Sequence, residues 1–396
     1  MSWEKVKLGE ISLCIQPGPF GSQLHNSDYA DEGTPIVMPK DMVDGHIRHT
    51  GLIRVPEEHV TRLQRHQVYE GNLMVARKGD VRKCVYITQN ENGWLTGSDC
   101  LKVALNESCC FPKYIYYQLR SPYIGKWLEQ ISIGATMPSI NTGLLSSIEI
   151  YLPPLDTQRR ISDILSAYDD LIKNNRKQIK LLEEAAHRLY KEWFVDLRFP
   201  GHEHTKIVDG VPEGWAKRPL SSIADVIMGQ SPKSEFYNQI GEGLPFHQGV
   251  GSYGNRFVKD EMYSTSFTRI AEAGSILFSV RAPVGRLNIT KNRIVIGRGI
   301  AALNHKSRLQ SFLFYMLKER FFKDNLVGNG SIFASISKDE LLNQEFIIPC
   351  EDVMVRYDKV ARNIDDKIAI LDRQIELLTQ ARDRLLPKLM SGEVEV

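Results

Sequence analysis

The sequence predicts an α+β fold in which two related mixed α/β domains are joined by two long helices. Three observations predict it: the 396-residue chain contains an internal repeat, each copy of the repeat ends in a long heptad pattern, and short β-rich runs precede each pattern. Related domains joined through related helices are expected to form an antiparallel coiled coil with pseudo-twofold symmetry.

The repeat is found by shifting the sequence by 196 positions, which aligns about sixty residues without a gap. Residues 134–140 then fall on 330–336, and Asp169 and Asp170 fall on Asp365 and Asp366. Between Trp3 and its counterpart Trp215 the offset is 212, so the middles of the two halves have diverged. We therefore expect the shared segments to hold an architecture, while the middles perform different versions of one task.

The aligned segments carry apolar residues at alternating steps of four and three, with charged residues between them. This 3.5-residue period is typical of helices that supercoil against each other, although a helical hairpin inside one core is an alternative. A helix of about 33 residues is on the order of 50 Å long. Asp156 is the expected N-cap of the first helix, and Pro387 with Gly392 marks the expected end of the second. The predicted pairing residues are Leu165, Tyr168, Ile172, Asn175, Ile179, Leu182 and Leu189 in the first helix, and Ile364, Ile368, Leu371, Ile375, Leu378 and Leu385 in the second.

The remaining segments are predicted to form mixed α and β structure, with turns at Gly, Asn and Pro residues. Strands are predicted within 72–76, 81–87, 276–280 and 293–296, and amphipathic helices at 112–119 and 311–322. The predicted organisation is a first domain at 1–152, a first spacer helix at 153–197, a linker at 198–212, a second domain at 213–349, a second spacer helix at 350–390 and a tail at 391–396.

Composition narrows the class of protein without identifying a ligand. Fifty Lys and Arg residues against forty-eight Asp and Glu give a net charge of +2, so any basic surface must be local. The sequence shows neither a run of eighteen apolar residues nor a secretory signal, which predicts a cytoplasmic protein without a membrane partner. The six cysteines lack metal-binding spacing and are expected to be small packed side chains, with a metal or redox site as the alternative.

Known catalytic motifs are missing from the sequence. It contains no phosphate-binding P-loop, no G-x-S-x-G elbow and no H-E-x-x-H pair. One G-x-G-x-x-G string at 249–254 precedes a predicted strand, whereas a dinucleotide site needs a helix there. Asp365 and Asp366 resemble nuclease carboxylates but are expected on a solvated helix face. We therefore predict no catalytic residue and no metal site in this chain.

Each half instead contains a polar loop near its start and a basic loop after a strand. Gln pairs bidentately with adenine, Arg with guanine, and Lys binds phosphate, so these loops suit DNA recognition. Ordinary turn chemistry and solvated surface are the alternatives. The candidate DNA-binding residues are Phe20, Ser22, Gln23, Lys40, Arg77, Lys78, Arg82 and Lys83 in the first half, and Gln230, Ser231, Lys233, Gln248, Arg281, Arg286 and Arg298 in the second.

Four stretches resemble the DNA specificity subunit of type I restriction-modification enzymes. They are Gly18 to Ser22, Met228 to Pro232, Leu152 to Gln158 leading to Trp193 and Phe194, and Arg384 to Leu389 before Gly392. The resemblance spans nearly the whole chain, and it implies two target recognition domains that each read half of a split DNA sequence.

The resemblance also implies partners that perform the chemistry. These are double-stranded DNA, two modification subunits that bind S-adenosylmethionine and methylate adenine, and two restriction subunits that use ATP and Mg²⁺. The chain itself is then a non-catalytic subunit without a cofactor, and its helices set the gap between half-sites near one DNA turn, about 34 Å. A coiled-coil scaffold whose duplicated domains bind protein or saccharide is the alternative, and a self-sufficient modification enzyme is disfavoured because no credible cofactor loop is present.

Overall fold

The computed structural model describes residues 3–131, 138–321 and 335–396. The chain forms two compact units, Met1–Asn174 with Gln374–Val396 and Asn175–Arg373. Both boundaries fall inside the two long helices, so each unit combines one domain with part of each helix. The start of the repeat, at 134–137 and 330–334, lies outside the described residues.

The first unit is built on a four-stranded antiparallel sheet and a smaller sheet that contains one parallel pair. The strand order is β2-β10-β7-β8 in the larger sheet and β6-β3-β9 in the smaller one, while β1 pairs with β11 and β4 with β5. The strands are β1 (Glu4–Lys7), β2 (Ser12–Pro17), β3 (Thr34–Val37), β4 (Met42–Val43), β5 (His46–Ile47), β6 (Ile53–Val55), β7 (Leu73–Ala76), β8 (Cys84–Tyr86), β9 (Leu95–Thr96), β10 (Cys100–Leu105) and β11 (Glu149–Leu152).

Helices cover the first unit's large sheet and link it to the long helices. The short helices are α1 (Glu57–Val60), α2 (Pro112–Leu119), α3 (Pro122–Ile131) and α4 (Thr142–Ser146). The first long helix, α5, runs over Leu155–Phe194, and its first half belongs to this unit. Ile161 and Leu165 of α5 share a hydrophobic core with Leu386 and Leu389, which lie near the chain's C-terminus. Burial of these apolar side chains anchors both helices in the unit.

The second unit repeats this architecture. Its four-stranded sheet has the order β15-β23-β20-β21, β14 pairs with β24, and the other sheet contains the parallel pair β17 and β22. The strands are β12 (Ile207–Val208), β13 (Val211–Pro212), β14 (Ala216–Pro219), β15 (Ala224–Met228), β16 (Tyr237–Asn238), β17 (Leu244–His247), β18 (Tyr263–Ser264), β19 (Ile270–Ala271), β20 (Ile276–Ser279), β21 (Leu287–Ile289), β22 (Ile294–Ile296), β23 (Ile300–His305) and β24 (Glu345–Ile348). Its helices are α6 (Gln310–Phe321), α7 (Lys338–Leu342) and the second long helix α8 (Glu351–Ser391).

An aromatic cluster holds the two long helices together in the second unit. Tyr357 of α8 is fully buried, and its ring lies 5.1 Å from Phe194 and 5.7 Å from Tyr190 of α5. The Tyr357 hydroxyl donates a hydrogen bond to the Ala186 carbonyl at 3.0 Å. In this unit the C-terminal part of α5 packs on the N-terminal part of α8. In the first unit the N-terminal part of α5 packs on the C-terminal part of α8. Within each unit, the two helices are therefore antiparallel, as the sequence predicts.

The predicted pairing positions follow the buried side of both helices. None of them is exposed, and Leu165, Ile172, Ile368 and Leu371 are almost completely buried. The predicted polar seam residue, Asn175, is also buried. Which of these residues face one another along the whole seam stays a prediction.

The long helices are longer than the sequence patterns suggested. They contain 40 and 41 residues. The helix α5 begins at Leu155, so Asp156 lies in its first turn and the expectation that it is the N-cap is wrong. The helix α8 continues through Pro387 to Ser391, so the expectation that Pro387 ends the helix is also wrong. Proline removes the hydrogen bond to the carbonyl four residues earlier and crowds that carbonyl. Both Pro387 and Asp383 are exposed, so this face of the helix is accessible to solvent and has room to adjust. The helix ends at Ser391, so the expectation that Gly392 marks its end is confirmed: Gly392 adopts a positive φ, and the Glu393 N–H bonds the Lys388 carbonyl.

The predicted linker at 198–212 is folded onto the second unit. It contains the β12–β13 hairpin, and Phe199 is buried with its ring 4.8 Å from that of Trp215. Polar and turn-forming residues predicted exposure here, but Phe199 provides enough apolar area to anchor the segment.

The repeated aspartates Asp169 and Asp365 each tie a domain to a long helix, so the solvated face expected for Asp365 is wrong. Asp169 accepts hydrogen bonds from Tyr117 at 2.8 Å and from Arg382 at 2.5 Å. Their neighbours Asp170 and Asp366 are the exposed members of each pair. One carboxylate of each pair is therefore structural.

Asp365 is the acceptor at the centre of the second unit's cluster. It accepts hydrogen bonds from Arg256 at 2.6 Å, Ser311 at 2.7 Å and Tyr315 at 2.9 Å. Arg256 is only 3% exposed, and its guanidinium lies 3.6 Å from the centre of the Phe314 ring. Burial alone would lower the pKa of Arg256, but the Asp365 charge raises it above the usual value.

Candidate nucleic-acid interface

Three loops of the second unit cross at contacts that only glycine permits. A Cβ on Gly229 would lie 2.2 Å from the Gly297 carbonyl oxygen, and one on Gly299 would lie 2.5 Å from the Gln248 carbonyl oxygen. The Gly229 N–H bonds the Ile300 carbonyl, which fixes the first loop against the third. These crossings bring together the loops that begin at Gly229, Gln248 and Gly297, although they are distant in sequence.

The crossed loops enclose an open pocket of about 640 Å³. Four of the predicted DNA-binding residues line it: Ser231, Gln248, Arg281 and Arg298. Tyr237 also lines the pocket, and its ring stacks on Phe246 at a centroid distance of 4.6 Å. The fold therefore collects amide, hydroxyl, guanidinium and aromatic groups at one concave surface.

The pocket is electropositive because both of its arginines lack a partner among the described residues. Arg281 and Arg298 are exposed, and within the described part of the chain neither guanidinium has a hydrogen bond or an ion pair. The backbone N–H of Arg298 is held by the Ser231 hydroxyl at 3.2 Å. The loop is therefore fixed while the Arg298 side chain stays available for a ligand.

A buried polar network supports the loop that carries Gln248. His247 is 1% exposed, its Nδ1 lies 2.8 Å from the Ser252 hydroxyl, and its Nε2 lies 2.9 Å from Asp260. Burial opposes ionisation of Asp260, yet the hydrogen bond with His247 helps to hold the pKa of Asp260 below its usual value. This network fixes both ends of the turn that follows Gln248.

The other three candidates in the second unit lie outside the lining of this pocket. Gln230 is exposed on the first loop, and Lys233 is exposed with its Nζ 3.8 Å from Glu235. Arg286 lines a different cavity, also of about 640 Å³, next to Lys318 and the α5 residue Glu183.

The first unit contains the same loop crossing. A Cβ on Gly18 would lie 1.9 Å from the Gly97 carbonyl oxygen, which matches the contact between Gly229 and Gly297. The Gly97 N–H donates a hydrogen bond to the Val37 carbonyl at 2.9 Å. In the second unit, the Gly297 N–H donates in the same way to the His247 carbonyl at 2.8 Å. The two units therefore share the backbone of the site.

Further matched hydrogen bonds make Asp99 the counterpart of Gly299. The Arg77 N–H bonds the Asp99 carbonyl at 2.7 Å, and the Val280 N–H bonds the Gly299 carbonyl at 2.9 Å. By the same register, Lys78 corresponds to Arg281. The residue before each acceptor is Ser98 in the first unit and Arg298 in the second.

Most basic candidates of the first unit already have protein partners. Lys78 forms an ion pair with Asp99 at 3.2 Å, and Arg82 pairs with Asp80 at 3.0 Å and Glu129 at 3.1 Å. The half-buried Lys83 donates from Nζ to the Pro39 carbonyl at 3.0 Å. The surface is basic by residue type, but carboxylates compensate the charges of Lys78 and Arg82.

The remaining candidates of the first unit give it a different chemical character. Phe20 is 54% exposed, and the Arg77 guanidinium lies 5.9 Å from the centre of its ring. Lys40 is exposed, whereas Gln23 is half-buried. The side chain of Ser22 lies outside the described part of the structure. An exposed aromatic ring beside a guanidinium suits contact with a base or with a thymine methyl group.

Sequence reasoning missed Asp99 and Tyr237, which belong to the same surfaces as the predicted residues. Asp99 could have been found from the repeat, because Gly97, Ser98 and Asp99 follow a buried strand just as Gly297, Arg298 and Gly299 do. No sequence pattern points to Tyr237, since a single aromatic residue in a loop is common.

Replacing Gly229 with alanine is expected to destabilise the second unit and to displace its reading loops, the three loops that begin at Gly229, Gln248 and Gly297. The new methyl group must push the Gly297 carbonyl away, at a cost of about 1–3 kcal/mol. Gly251→Ala is the control, because nothing lies within 4 Å of a Cβ there. Thermal unfolding of both variants checks this, and equal melting temperatures would contradict the close-crossing argument.

In residues 3–131, 138–321 and 335–396, no group of three or more His, Cys, Asp or Glu side chains is placed to hold a metal ion. None of the helices within those ranges combines the length and the apolar character of a membrane span.

Two copies of one loop-crossing architecture, each on its own sheet and each differing in side chains, define a protein with duplicated recognition domains. Residues 2–184 and 212–385 match the family described as type I restriction modification DNA specificity domain. The chain belongs to this family, and the specificity subunit is a non-catalytic component of type I systems. The resemblance seen in the sequence is thereby confirmed.

Individual relatives agree with the family assignment along the whole chain. The putative type I restriction enzyme MjaX specificity subunit of Methanocaldococcus jannaschii is 30% identical, covering 100% of this chain and 94% of that protein. The MjaIX specificity subunit of the same organism is 24% identical with the same coverage. The crystal structure of a type I restriction-modification system S subunit from M. genitalium shares the fold, with a TM-score of 0.60, 17% identity and coverage of 98% and 96%.

Proposed function

We propose that this chain reads a bipartite, asymmetric DNA sequence, with one half-site bound by each unit. The observation that carries the proposal is the duplicated loop crossing, which keeps its backbone hydrogen bonds while its exposed side chains differ. Recognition of two distinct half-sites requires two domains with the same backbone arrangement and different side chains facing the DNA bases.

The side chains suggest how each unit recognises DNA. In the second unit, Arg281 and Arg298 suit guanine or phosphate, and Gln248 suits adenine. In the first unit, Phe20 offers an apolar contact to a thymine methyl group, and Lys40 suits a phosphate. The pocket and its first-unit counterpart are then the surfaces that face the grooves.

The long helices are proposed to set the gap between half-sites and to bind the enzymatic partners. Those partners are two modification subunits, which carry S-adenosylmethionine, and two restriction subunits, which carry ATP and Mg²⁺. Support comes from exposed apolar side chains on both helices, which an interface with a partner subunit would bury. They include Leu171 and Leu377 in the first unit and Leu181 and Ile370 in the second, each about half exposed.

Leu181→Asp is expected to weaken binding of a modification subunit at least about tenfold, equivalent to about 1.4 kcal/mol. Leu181 is 54% exposed on α5, and a carboxylate buried in an interface is unfavourable. Ile240→Asp is the control, because Ile240 is 79% exposed in a loop. Co-purification at graded concentrations measures the effect, and unchanged assembly of the Leu181 variant would remove this surface from the proposal.

A gel-shift experiment tests DNA recognition against a scaffold that binds protein or saccharide. The chain is purified with its modification subunit and mixed with random duplex DNA at increasing salt concentrations. A DNA reader binds and weakens steeply with salt, because phosphate contacts release counterions. Absence of a salt-dependent shift would contradict the proposed function and favour the scaffold.

A further inference from the structure

The two reading surfaces differ in charge at equivalent backbone positions. In the first unit these positions hold Lys78 and Asp99, whose opposite charges cancel in the 3.2 Å ion pair. In the second unit they hold Arg281 and Gly299, with Arg298 adding a second positive charge in place of Ser98. At these three positions the first unit is therefore neutral, whereas the second carries two positive charges. Arg77, next to Lys78, is the one positive charge of the first unit that the second replaces with an uncharged residue, Val280.

Asp99 is accessible to a ligand, because its side chain is 42% exposed and that of Lys78 is 46% exposed. The Asp99 backbone is fixed by the hydrogen bond from Arg77, and the neighbouring Cys100 is completely buried. A fixed carboxylate on a DNA-facing loop repels phosphate. It also accepts hydrogen bonds from the amino groups of cytosine or adenine.

Gly299 shows why the second unit lacks such a carboxylate. A Cβ at that position would lie 2.5 Å from the Gln248 carbonyl oxygen. The second unit therefore has no room for a side chain at this position, whereas the first unit accommodates that of Asp99. The difference in charge between the units thus follows from the loop geometry at this one position.

We propose that Asp99 is a specificity-determining residue that neutralises Lys78 and so suppresses binding of the first unit to non-target DNA. The inference rests on the proposed function and deepens it. The second unit then supplies most of the salt-dependent affinity for any duplex. The first unit binds well only where a base donates a hydrogen bond to Asp99 in place of Lys78.

The test compares Asp99→Asn with the wild-type chain, each in complex with the modification subunit. Binding to a duplex without the target sequence is measured between 50 and 200 mM salt. Freeing one lysine for a phosphate is expected to steepen the slope of log K against log salt by about 0.9. The variant then loses about 3.5-fold more affinity over this range than the wild type, and it binds non-target DNA more tightly at 50 mM.

Glu149→Gln is the matched control, because it removes the carboxylate of another exposed ion pair, that of Lys5 and Glu149 at 3.3 Å. It makes the same change in net charge on strands β1 and β11, away from the reading loops. A slope for Asp99→Asn equal to those of the wild type and of this control would overturn the inference.

A second comparison uses Lys78→Gln and Arg281→Gln, which remove equivalent positive charges. Arg281→Gln is expected to reduce the slope by about 0.9, and Lys78→Gln by clearly less. Equal reductions would overturn the inference while leaving DNA recognition intact. Failure of the wild-type complex to bind any DNA would instead contradict the proposed function, and the inference with it.

Discussion

Asp365→Ala is expected to destabilise the second unit by about 3–5 kcal/mol. The substitution removes the carboxylate closest to the Arg256 guanidinium, which is 3% exposed. The carboxylate that remains is that of Glu183, which lies 3.8 Å from the guanidinium. Ser311 and Tyr315 also lose their acceptor. For a unit of this size, the melting temperature should fall by about 6–20 °C.

Asp366→Ala provides the matched control for that experiment. Asp366 is the adjacent residue on the same helix and is exposed, so its removal should change stability by no more than about 0.5 kcal/mol. Similar losses for both variants would mean that the helix, and not the buried ion pair, is sensitive to substitution.

Arg298→Ala is expected to reduce affinity for target DNA by about 1–3 kcal/mol, which is about 5-fold to 150-fold. Arg298 lines the second unit's pocket, and its loop is held in place by Ser231 and by the glycine crossing. If Arg298 reads a base, the loss is confined to duplexes with the correct second half-site. If it contacts only phosphate, affinity falls equally for all sequences, and its role is positioning.

Arg293→Ala is the control for Arg298→Ala. Arg293 is also an exposed arginine of the second unit, but it pairs with Glu272 at 3.2 Å and does not line the pocket. It should leave DNA affinity nearly unchanged. An equal loss in both variants would show a general charge effect and would contradict a specific role for Arg298.

The architecture was largely predictable because the signals that specify it are periodic. Heptad spacing predicts the long helices, and Leu165 and Ile368 are buried as expected. Helix ends depend on single contacts, which is why Pro387 was misleading. Asp365 was misread for a related reason: helical spacing assigns it to a polar face, but only the tertiary fold brings Arg256 to that face.

The candidate site was predictable in its residue types but not in its charge balance. Arg281 and Lys78 both follow buried strands, so the sequence presents them as equivalent. Their surroundings differ because Asp99 reaches Lys78, while Gly299 offers no side chain. Such compensation depends on which loops cross, and periodicity carries no information about loop crossings.

The duplicated frame also explains how one protein can carry two different specificities. Backbone hydrogen bonds at Gly18 and Gly229 hold the loops in the same arrangement, so exposed side chains can differ without a new fold. Each unit keeps its own helix anchor, through Asp169 in one and Asp365 in the other. Changes in one reading surface can therefore accumulate independently of the other.

Sequencing of DNA methylation in cells that express this chain with its modification subunit tests the central claim most directly. The account predicts methylated adenines in a motif with two different half-sites separated by a gap of constant length. Substitutions at Arg298 should alter only one half-site, and those at Asp99 only the other. A continuous or symmetric motif, or one in which either substitution changes both halves, would contradict the account.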